Sequence, residues 1–148
     1  MSASQKLDNC LAQILRIATD LVPDKAWSTL HLECAIVEAV TEVKSWYTVA
    51  GSAERIEYDT FDLDYVNEDA DANDIGLFVA QLRDLTADTV KGAWYTVSIE
   101  FHRNSPRPTI HYNYYDKPAF GHPLPLALYK KDLKVYPRAT QHIPDWLA

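Results

Sequence analysis

The alternation of apolar and polar positions predicts a β-hairpin between residues 93 and 116, and we expect the rest of the sheet to be organised around it. Apolar and polar side chains follow one another there with the period of two that is typical of half-buried strands. The connector, residues 103–108, contains two prolines, which cannot donate to a strand ladder. The apolar face that the hairpin offers to a core carries Tyr95, Val97, Ile99, Phe101, Ile110, Tyr112 and Tyr114.

Residues 2–22 have the apolar spacing of an amphipathic helix. Apolar side chains recur every three or four positions, with polar residues between them. Ser2 and Gln5 have the spacing of a capping box, and Pro23 cannot continue a helix. The segment therefore predicts a helix whose apolar stripe covers one face of the sheet.

A second helix is predicted after the acidic residues Asp71 and Asp74. Carboxylates at these positions favour the positive end of the helix dipole and can accept hydrogen bonds from free amides. Lys91 and Gly92 supply a cation and a left-handed stop, so we expect the helix to end there. The apolar stripe between these limits comprises Ile75, Phe78, Val79, Leu82, Leu85 and Val90.

Three further segments, residues 27–37, 41–50 and 56–61, predict strands. Acidic and small polar residues dominate residues 62–72, which predicts an exposed loop. The order of the elements predicts an α+β fold. Its antiparallel β-sheet has four to five strands, and the two helices are packed on one face of that sheet.

The composition changes after residue 116, because five of the eight prolines lie in residues 118–148. We expect a Pro-rich tail, residues 117–148, that is irregular apart from one short helix near residues 124–133. Its apolar residues are too many for a free linker, so the tail is expected to dock on the body, residues 1–116. The 148 residues suffice to bury a core without metal or disulfide support, and they predict a single domain.

The two cysteines, Cys10 and Cys34, fall on the apolar faces of their predicted elements. They predict small buried thiols rather than a disulfide framework. The first 25 residues carry charges at intervals and contain no apolar region of a signal peptide, and no later run approaches the length of a membrane span. We therefore expect a cytoplasmic protein that does not associate with a membrane.

The net charge of −7 is unevenly distributed along the chain. Residues 54–74 contain nine acids and one base, Arg55, which gives this stretch alone a charge of −8. The sign of the charge reverses in residues 102–148, which contain seven basic and three acidic residues. Nucleic-acid binding needs an uncompensated basic face, so this distribution argues against it. A basic protein partner fits the distribution better.

The sequence offers little catalytic chemistry. Glu100, His102 and His111 lie on the polar face of the predicted hairpin and could bind zinc, which would make the chain a small metal-binding enzyme. However, the sequence contains no HExxH, HxH or CxxC spacing, no GxSxG elbow and no glycine-rich phosphate loop. We therefore assign no catalytic residue, metal ligand or cofactor, and expect a protein that is not an enzyme.

A cluster of aromatic residues on the hairpin is a candidate for protein binding. It contains Tyr112, Tyr114 and Tyr115, with two further large rings on the opposite arm. Tyrosine and tryptophan dominate interface hot spots, although tyrosines packed across strands would account for the cluster equally well. Together with the acidic residues 59–71, the cluster could form a negatively charged, aromatic binding face.

Several features along residues 7–116 are shared with one family. They are Trp27 near the first strand, a second helix, a Trp-led strand at residues 94–101, and a strand that ends in Tyr-Tyr-Asp at residues 114–116. In this respect the chain resembles the YezG/EsaG-like antitoxins. The tail departs from that pattern, and is similar to tails of immunity proteins against NAD-hydrolysing toxins.

The resemblance implies a small acidic bacterial immunity protein of a polymorphic toxin system, which binds and neutralises a cognate secreted toxin, such as a nuclease or an NAD-hydrolysing enzyme. The expected mechanism is occlusion of a basic active site, and an effector chaperone or adaptor is an alternative function. The expected partner-binding residues are Asp59, Asp62, Asp64, Glu68, Asp69, Tyr112, Tyr114 and Tyr115.

Overall fold

The computed structural model describes residues 2–61 and 74–148, which form an α+β fold of three α-helices and one five-stranded sheet. The predicted fold class is therefore confirmed. The predicted exposed loop at residues 62–72 lies outside the described residues. The helices are α1 (Ala3–Leu21), α2 (Ile75–Leu85) and α3 (Leu126–Val135). The strands are β1 (Trp27–Val37), β2 (Val40–Val49), β3 (Ile56–Tyr58), β4 (Thr96–His102) and β5 (Thr109–Asn113).

The sheet is antiparallel throughout, and its strand order is β3-β2-β1-β4-β5. The predicted hairpin is present as β4 and β5, but β5 forms an edge, so the expectation that the sheet is organised around this hairpin was wrong. The central strand is β1, which pairs with β2 on one side and with β4 on the other. Its last four residues are all buried, which fits a strand covered on both faces at that end.

Alternation along the strands separates an inner face from an outer face. The inner face of β1 consists of Leu30, Leu32, Cys34 and Ile36, and it belongs to the main core cluster. Both α1 and α2 contribute buried side chains to that cluster. The outer face of the sheet is polar and partly exposed, as expected for an antiparallel sheet with one solvated face.

Helix α1 begins and ends where the sequence predicts. Ser2 is the N-cap residue, and its hydroxyl accepts a hydrogen bond from the backbone N–H of Gln5 at 3.1 Å. The Gln5 side chain accepts from the backbone N–H of Ser2 at 2.9 Å, which completes the capping box. Val22 is the C-cap residue, directly before Pro23.

Helix α2 begins as predicted but ends earlier. The side chain of Asp74 caps its N-terminus by accepting from the backbone N–H of Gly76 at 2.9 Å. The helix ends at Leu85, so the predicted continuation through Val90 to a stop at Gly92 was wrong, and Val90 is 46% exposed. The reason is a separate turn in which the Asp88 carboxylate accepts hydrogen bonds from the backbone N–H groups of Val90 and Lys91.

Residues 117–148 contain α3 and two short 3-10 turns, Thr140–His142 and Asp145–Leu147. The predicted short helix at residues 124–133 corresponds to α3, displaced by two residues. The tail packs on the end of β1 in a second apolar cluster. Its buried members are Val37, Tyr95, Tyr129 and Leu147.

Both cysteines are buried and free, which confirms the sequence prediction. Cys10 lies on α1 and Cys34 on β1, both within the main core cluster. The Cys10 thiol donates a hydrogen bond to the backbone oxygen of Phe78 on α2 at 3.0 Å. Burial raises the pKa of Cys10 to about 11 and, together with the Glu33 carboxylate, that of Cys34 to about 12. Both thiols are therefore neutral at physiological pH.

Candidate functional site: the outer face of the sheet

The strand register places one row of side chains across the outer face of all five strands. Glu57 of β3 lies opposite Trp46 of β2, and Trp46 lies opposite His31 of β1. His31 in turn lies opposite Glu100 of β4, and Glu100 lies opposite Thr109 of β5. We call these five residues the cross-strand row. A flat aromatic pair lies near its middle, with a carboxylate on each side.

The aromatic pair consists of two nearly parallel rings. The rings of His31 and Trp46 are stacked, with centroids 5.3 Å apart and an interplanar angle of 6°. The guanidinium carbon of Arg55, which precedes β3, lies 3.7 Å from the centroid of the Trp46 ring. This distance is within the range of a cation–π contact. The Trp46 ring therefore already carries a positive charge on its surface.

Glu100 lies between two imidazoles. Its Oε1 is 3.6 Å from Nε2 of His31 and 3.4 Å from Nε2 of His102. The Thr29 hydroxyl lies 2.8 Å from Nε2 of His31 and 2.6 Å from the Thr48 hydroxyl, both within hydrogen-bond distance. These contacts fix the orientation of the His31 ring against Trp46.

The pKa of His31 is lowered from its usual value. Partial burial is the main cause, because it disfavours the charged imidazolium. The Glu100 carboxylate opposes this effect, whereas the proximity of His102 and Arg55 reinforces it. The lowered pKa favours the neutral form of His31 at pH 7.

The histidines of the hairpin do not lie side by side as a zinc site at Glu100, His102 and His111 would require. His111 lies opposite Ser98, while the residue opposite Glu100 is Thr109. Within residues 2–61 and 74–148, no group of three or more His, Cys, Asp or Glu side chains is arranged to hold a metal ion. Glu100, His31 and His102 are in contact with one another but do not form a set of metal ligands.

Of the five acids predicted to bind a partner, Asp59 is the one within the described residues. It is exposed, directly after β3, and its carboxylate accepts a hydrogen bond from the backbone N–H of Phe61 at 2.7 Å. The other four predicted acids, Asp62, Asp64, Glu68 and Asp69, lie outside the described residues.

The predicted tyrosines do not form one surface with Asp59. Tyr112 and Tyr114 pack against the main core, and Tyr112 is stacked on Trp94 with centroids 5.9 Å apart. The Tyr114 hydroxyl donates to the backbone oxygen of Thr86 at 3.4 Å. Because β5 and β3 are opposite edges of the sheet, these two tyrosines are separated from Asp59 by the full width of the sheet.

Tyr115 is 44% exposed, which makes it more accessible than the other two tyrosines. Its hydroxyl lies 2.8 Å from Nδ1 of His142. Its backbone oxygen accepts a hydrogen bond from the Trp146 indole at 2.6 Å. These two contacts attach the tail to Tyr115. Part of the Tyr115 side chain remains exposed to solvent.

Trp46, His31 and Arg55 were not predicted from the sequence as members of a site. One signal was available, because the apolar residues of β2, Val43, Tyr47 and Val49, share a side and so place Trp46 on the polar side. A large aromatic side chain on a solvated face is unusual enough to suggest a binding role. The positions of His31 and Arg55 beside it depend on strand register, which the sequence does not give.

Comparisons with known proteins yielded no match to a family model and no significantly similar curated protein. A search for membrane spans found no helix of sufficient length and apolar character among the described residues. The geometry of the chain itself is therefore the basis for any functional proposal.

Proposed function

We propose that this chain is an immunity protein that binds a basic secreted toxin domain and blocks its active site. The observation that supports this function is the charge of −8 within residues 54–74, on a chain whose remaining residues are nearly neutral. The stretch contains β3 and is followed directly by α2, and both elements pack on the core. A scaffold of this kind presents concentrated negative charge to a partner.

The mechanism is electrostatic attraction followed by occlusion. Acids among residues 59–69 pair with lysine or arginine side chains around the catalytic cleft of the toxin, and attraction over a distance accelerates the encounter. An inhibitor of this type needs a complementary surface and no catalytic residues of its own. Tyr115 is the predicted aromatic contact with the most accessible ring.

The first test is to identify the partner. The tagged protein is expressed in its own host, purified with a salt wash, and the proteins that remain bound are identified by mass spectrometry. We expect one stoichiometric partner with a basic, toxin-like domain, whose activity is lost on addition of this chain. The absence of any such partner, or inhibition of no activity, would refute the proposed function.

The second test concerns the acidic stretch. Asp62→Lys and Asp64→Lys, singly and together, should slow association with the toxin domain and reduce the salt dependence of the affinity. Asp8→Lys makes the same change of charge at an exposed position of α1 and serves as the control. If the double substitution left both affinity and salt dependence at the level of the Asp8→Lys control, the acidic stretch would not be the contact.

A further inference from the structure

The cross-strand row combines two features that suit a positively charged side chain. The first is the Trp46 ring, which is stacked on His31. The second is the pair of carboxylates in the same row, Glu57 directly opposite Trp46 and Glu100 directly opposite His31. An arginine side chain is planar and charged, so it can stack on the Trp46 ring while its N–H groups reach the Glu57 carboxylate beside it, and Glu100 adds to the negative potential of the row.

The carboxylates of this row differ from the nearest outer carboxylate in what lies opposite them. On the neighbouring outer row, Glu33 lies directly opposite Lys44, so that a carboxylate and an ammonium face each other across β1 and β2. In the cross-strand row the residues opposite the carboxylates are Trp46, His31 and Thr109, none of which carries a charge at neutral pH. The two carboxylates therefore have no cation directly opposite them in the row, and the cation that lies over Trp46 is Arg55.

The position of Arg55 shows that the surface accepts a guanidinium. Arg55 is an exposed residue, and its guanidinium carbon is 3.7 Å from the centroid of the Trp46 ring. A cation–π contact at an exposed position contributes little, so another guanidinium can replace it at low cost. In the free chain Arg55 covers the Trp46 ring.

We infer that the cross-strand row is a binding site for an arginine side chain of a basic protein partner, which displaces Arg55 from Trp46. This inference rests on the proposed function for the identity of the partner. The row starts at Glu57, two residues before Asp59, where the acidic stretch continues along the chain. A basic domain attracted by that stretch is therefore brought to the same edge of the sheet, where one of its arginines anchors on Trp46.

The site is tested first with a defined probe. The ¹⁵N-labelled full chain is titrated with a tri-arginine peptide at neutral pH, with tri-lysine and tri-glutamate peptides as controls. We expect saturable shifts of the Trp46 indole N–H and of the amides of His31 and Glu100, smaller shifts with tri-lysine and none with tri-glutamate. Shifts restricted to residues 59–74, with the Trp46 signal unchanged, would overturn the inference.

Substitutions separate the site from general charge attraction. Trp46→Ala, and Glu57→Gln together with Glu100→Gln, should each weaken tri-arginine binding at this site by about tenfold, as expected for anchor residues. Glu33→Gln removes one carboxylate from the neighbouring row and should have little effect, since Lys44 lies opposite it. Thermal unfolding checks that each variant is folded. If Trp46→Ala does not fold, the double glutamine variant decides.

Arg55→Ala distinguishes displacement from direct contact. Removal of Arg55 exposes the Trp46 ring and should increase the affinity for tri-arginine. The increase should be larger than the one caused by Lys44→Ala, which removes a cation from the neighbouring row. Both substitutions remove one positive charge from the outer face, so Lys44→Ala corrects for the general change in charge. Weaker binding by Arg55→Ala, or equal effects of the two substitutions, would refute displacement.

The inference and the proposed function can fail separately. With the toxin domain identified by co-purification, Trp46→Ala is expected to lower its affinity at least about tenfold. If Asp62→Lys with Asp64→Lys weakens that complex but Trp46→Ala does not, the arginine site is wrong and the proposed function stands. If no toxin domain is found but tri-arginine still shifts Trp46, the site stands and the proposed function is wrong.

Discussion

The guanidinium of Arg83 on α2 donates two parallel hydrogen bonds to the carboxylate of Asp132 on α3, at 2.5 and 2.8 Å. The two residues are only 2% and 3% exposed. The remaining polar atoms are also satisfied, because Arg83 Nε donates to the backbone oxygen of Trp94, and Asp132 accepts from the backbone N–H of Glu38. This buried ion pair joins the tail to the second helix and to the turn between β1 and β2.

Removal of one member of this pair should destabilise the fold severely. Asp132→Ala leaves the Arg83 charge buried without its partner, which typically costs about 3–5 kcal/mol. Urea unfolding followed by circular dichroism measures the loss. Lys131→Ala is the control, since Lys131 is 67% exposed in its ion pair with Glu38 and should contribute less than about 1 kcal/mol.

Replacement of both members should be tolerated better than replacement of one. Arg83→Met with Asp132→Leu leaves no unpaired charge at either of these two positions, so the double variant should be more stable than Asp132→Ala. A double-mutant cycle in urea measures the coupling. If the free energy of unfolding lost in the double variant equalled the sum of the losses in the two single variants, the two side chains would not be coupled. The hydrogen bonds to Trp94 and Glu38, rather than the ion pair, would then account for the losses.

The two left-handed glycines should differ in their tolerance of alanine. Gly92 has φ of 77°, and a Cβ there would lie 2.7 Å from Cγ of Arg138 and 3.0 Å from the backbone oxygen of Tyr136. Gly51 has φ of 80°, and a Cβ there meets no atom within 4 Å. Gly51→Ala should therefore cost only the conformational term, about 1–2 kcal/mol. Gly92→Ala should cost clearly more, and equal losses in urea unfolding would contradict the clash.

Protonation of His31 should destabilise the folded chain as the pH falls. The pKa of His31 in the folded chain is lowered by burial, so the unfolded chain takes up a proton at this residue more readily than the folded chain. The free energy of unfolding should therefore fall as the pH drops below the unfolded pKa of about 6.5. His31→Gln should reduce this pH dependence. An unchanged pH profile of His31→Gln would refute the assignment.

The two thiols should be protected in the folded state. Burial keeps both Cys10 and Cys34 protonated, and the thiolate is the form that reacts with thiol reagents. Reaction with a chromogenic disulfide reagent at about pH 8 should be slow in buffer and should release two thiols rapidly in denaturant. Rapid reaction of either cysteine in buffer would contradict the buried positions.

The sequence predicts those elements whose limits depend on local chemistry. Helix α1 begins at its capping box and ends before Pro23, and β1 coincides with the alternation between Trp27 and Val37. The end of α2 was not predictable in the same way, because the apolar spacing continues to Val90. There the carboxylate of Asp88 stabilises a separate turn, and this competing structure ends the helix.

The site was less predictable than the fold because it depends on non-local register. The sequence shows that Glu100 and Trp46 lie on polar faces, but only the pairing of β1 with both β2 and β4 brings them to the two sides of His31. Tyr112 and Tyr114 depend on packing in the same way. Their number suggested an interface, and both pack against the main core, while their role in partner binding stays a prediction.

The separation of Arg83 and Asp132 by 49 residues also has a consequence during synthesis of the chain on the ribosome. Until Asp132 has left the exit tunnel, α2 cannot bury Arg83 without an uncompensated charge, so the helix is expected to remain loosely attached and open to proteases. Stalled nascent chains that end before Asp132 should therefore be cleaved near α2, whereas chains that carry a C-terminal linker long enough to place residues 126–148 outside the tunnel should resist. Docking of the tail is thus a late step on which the burial of Arg83 depends.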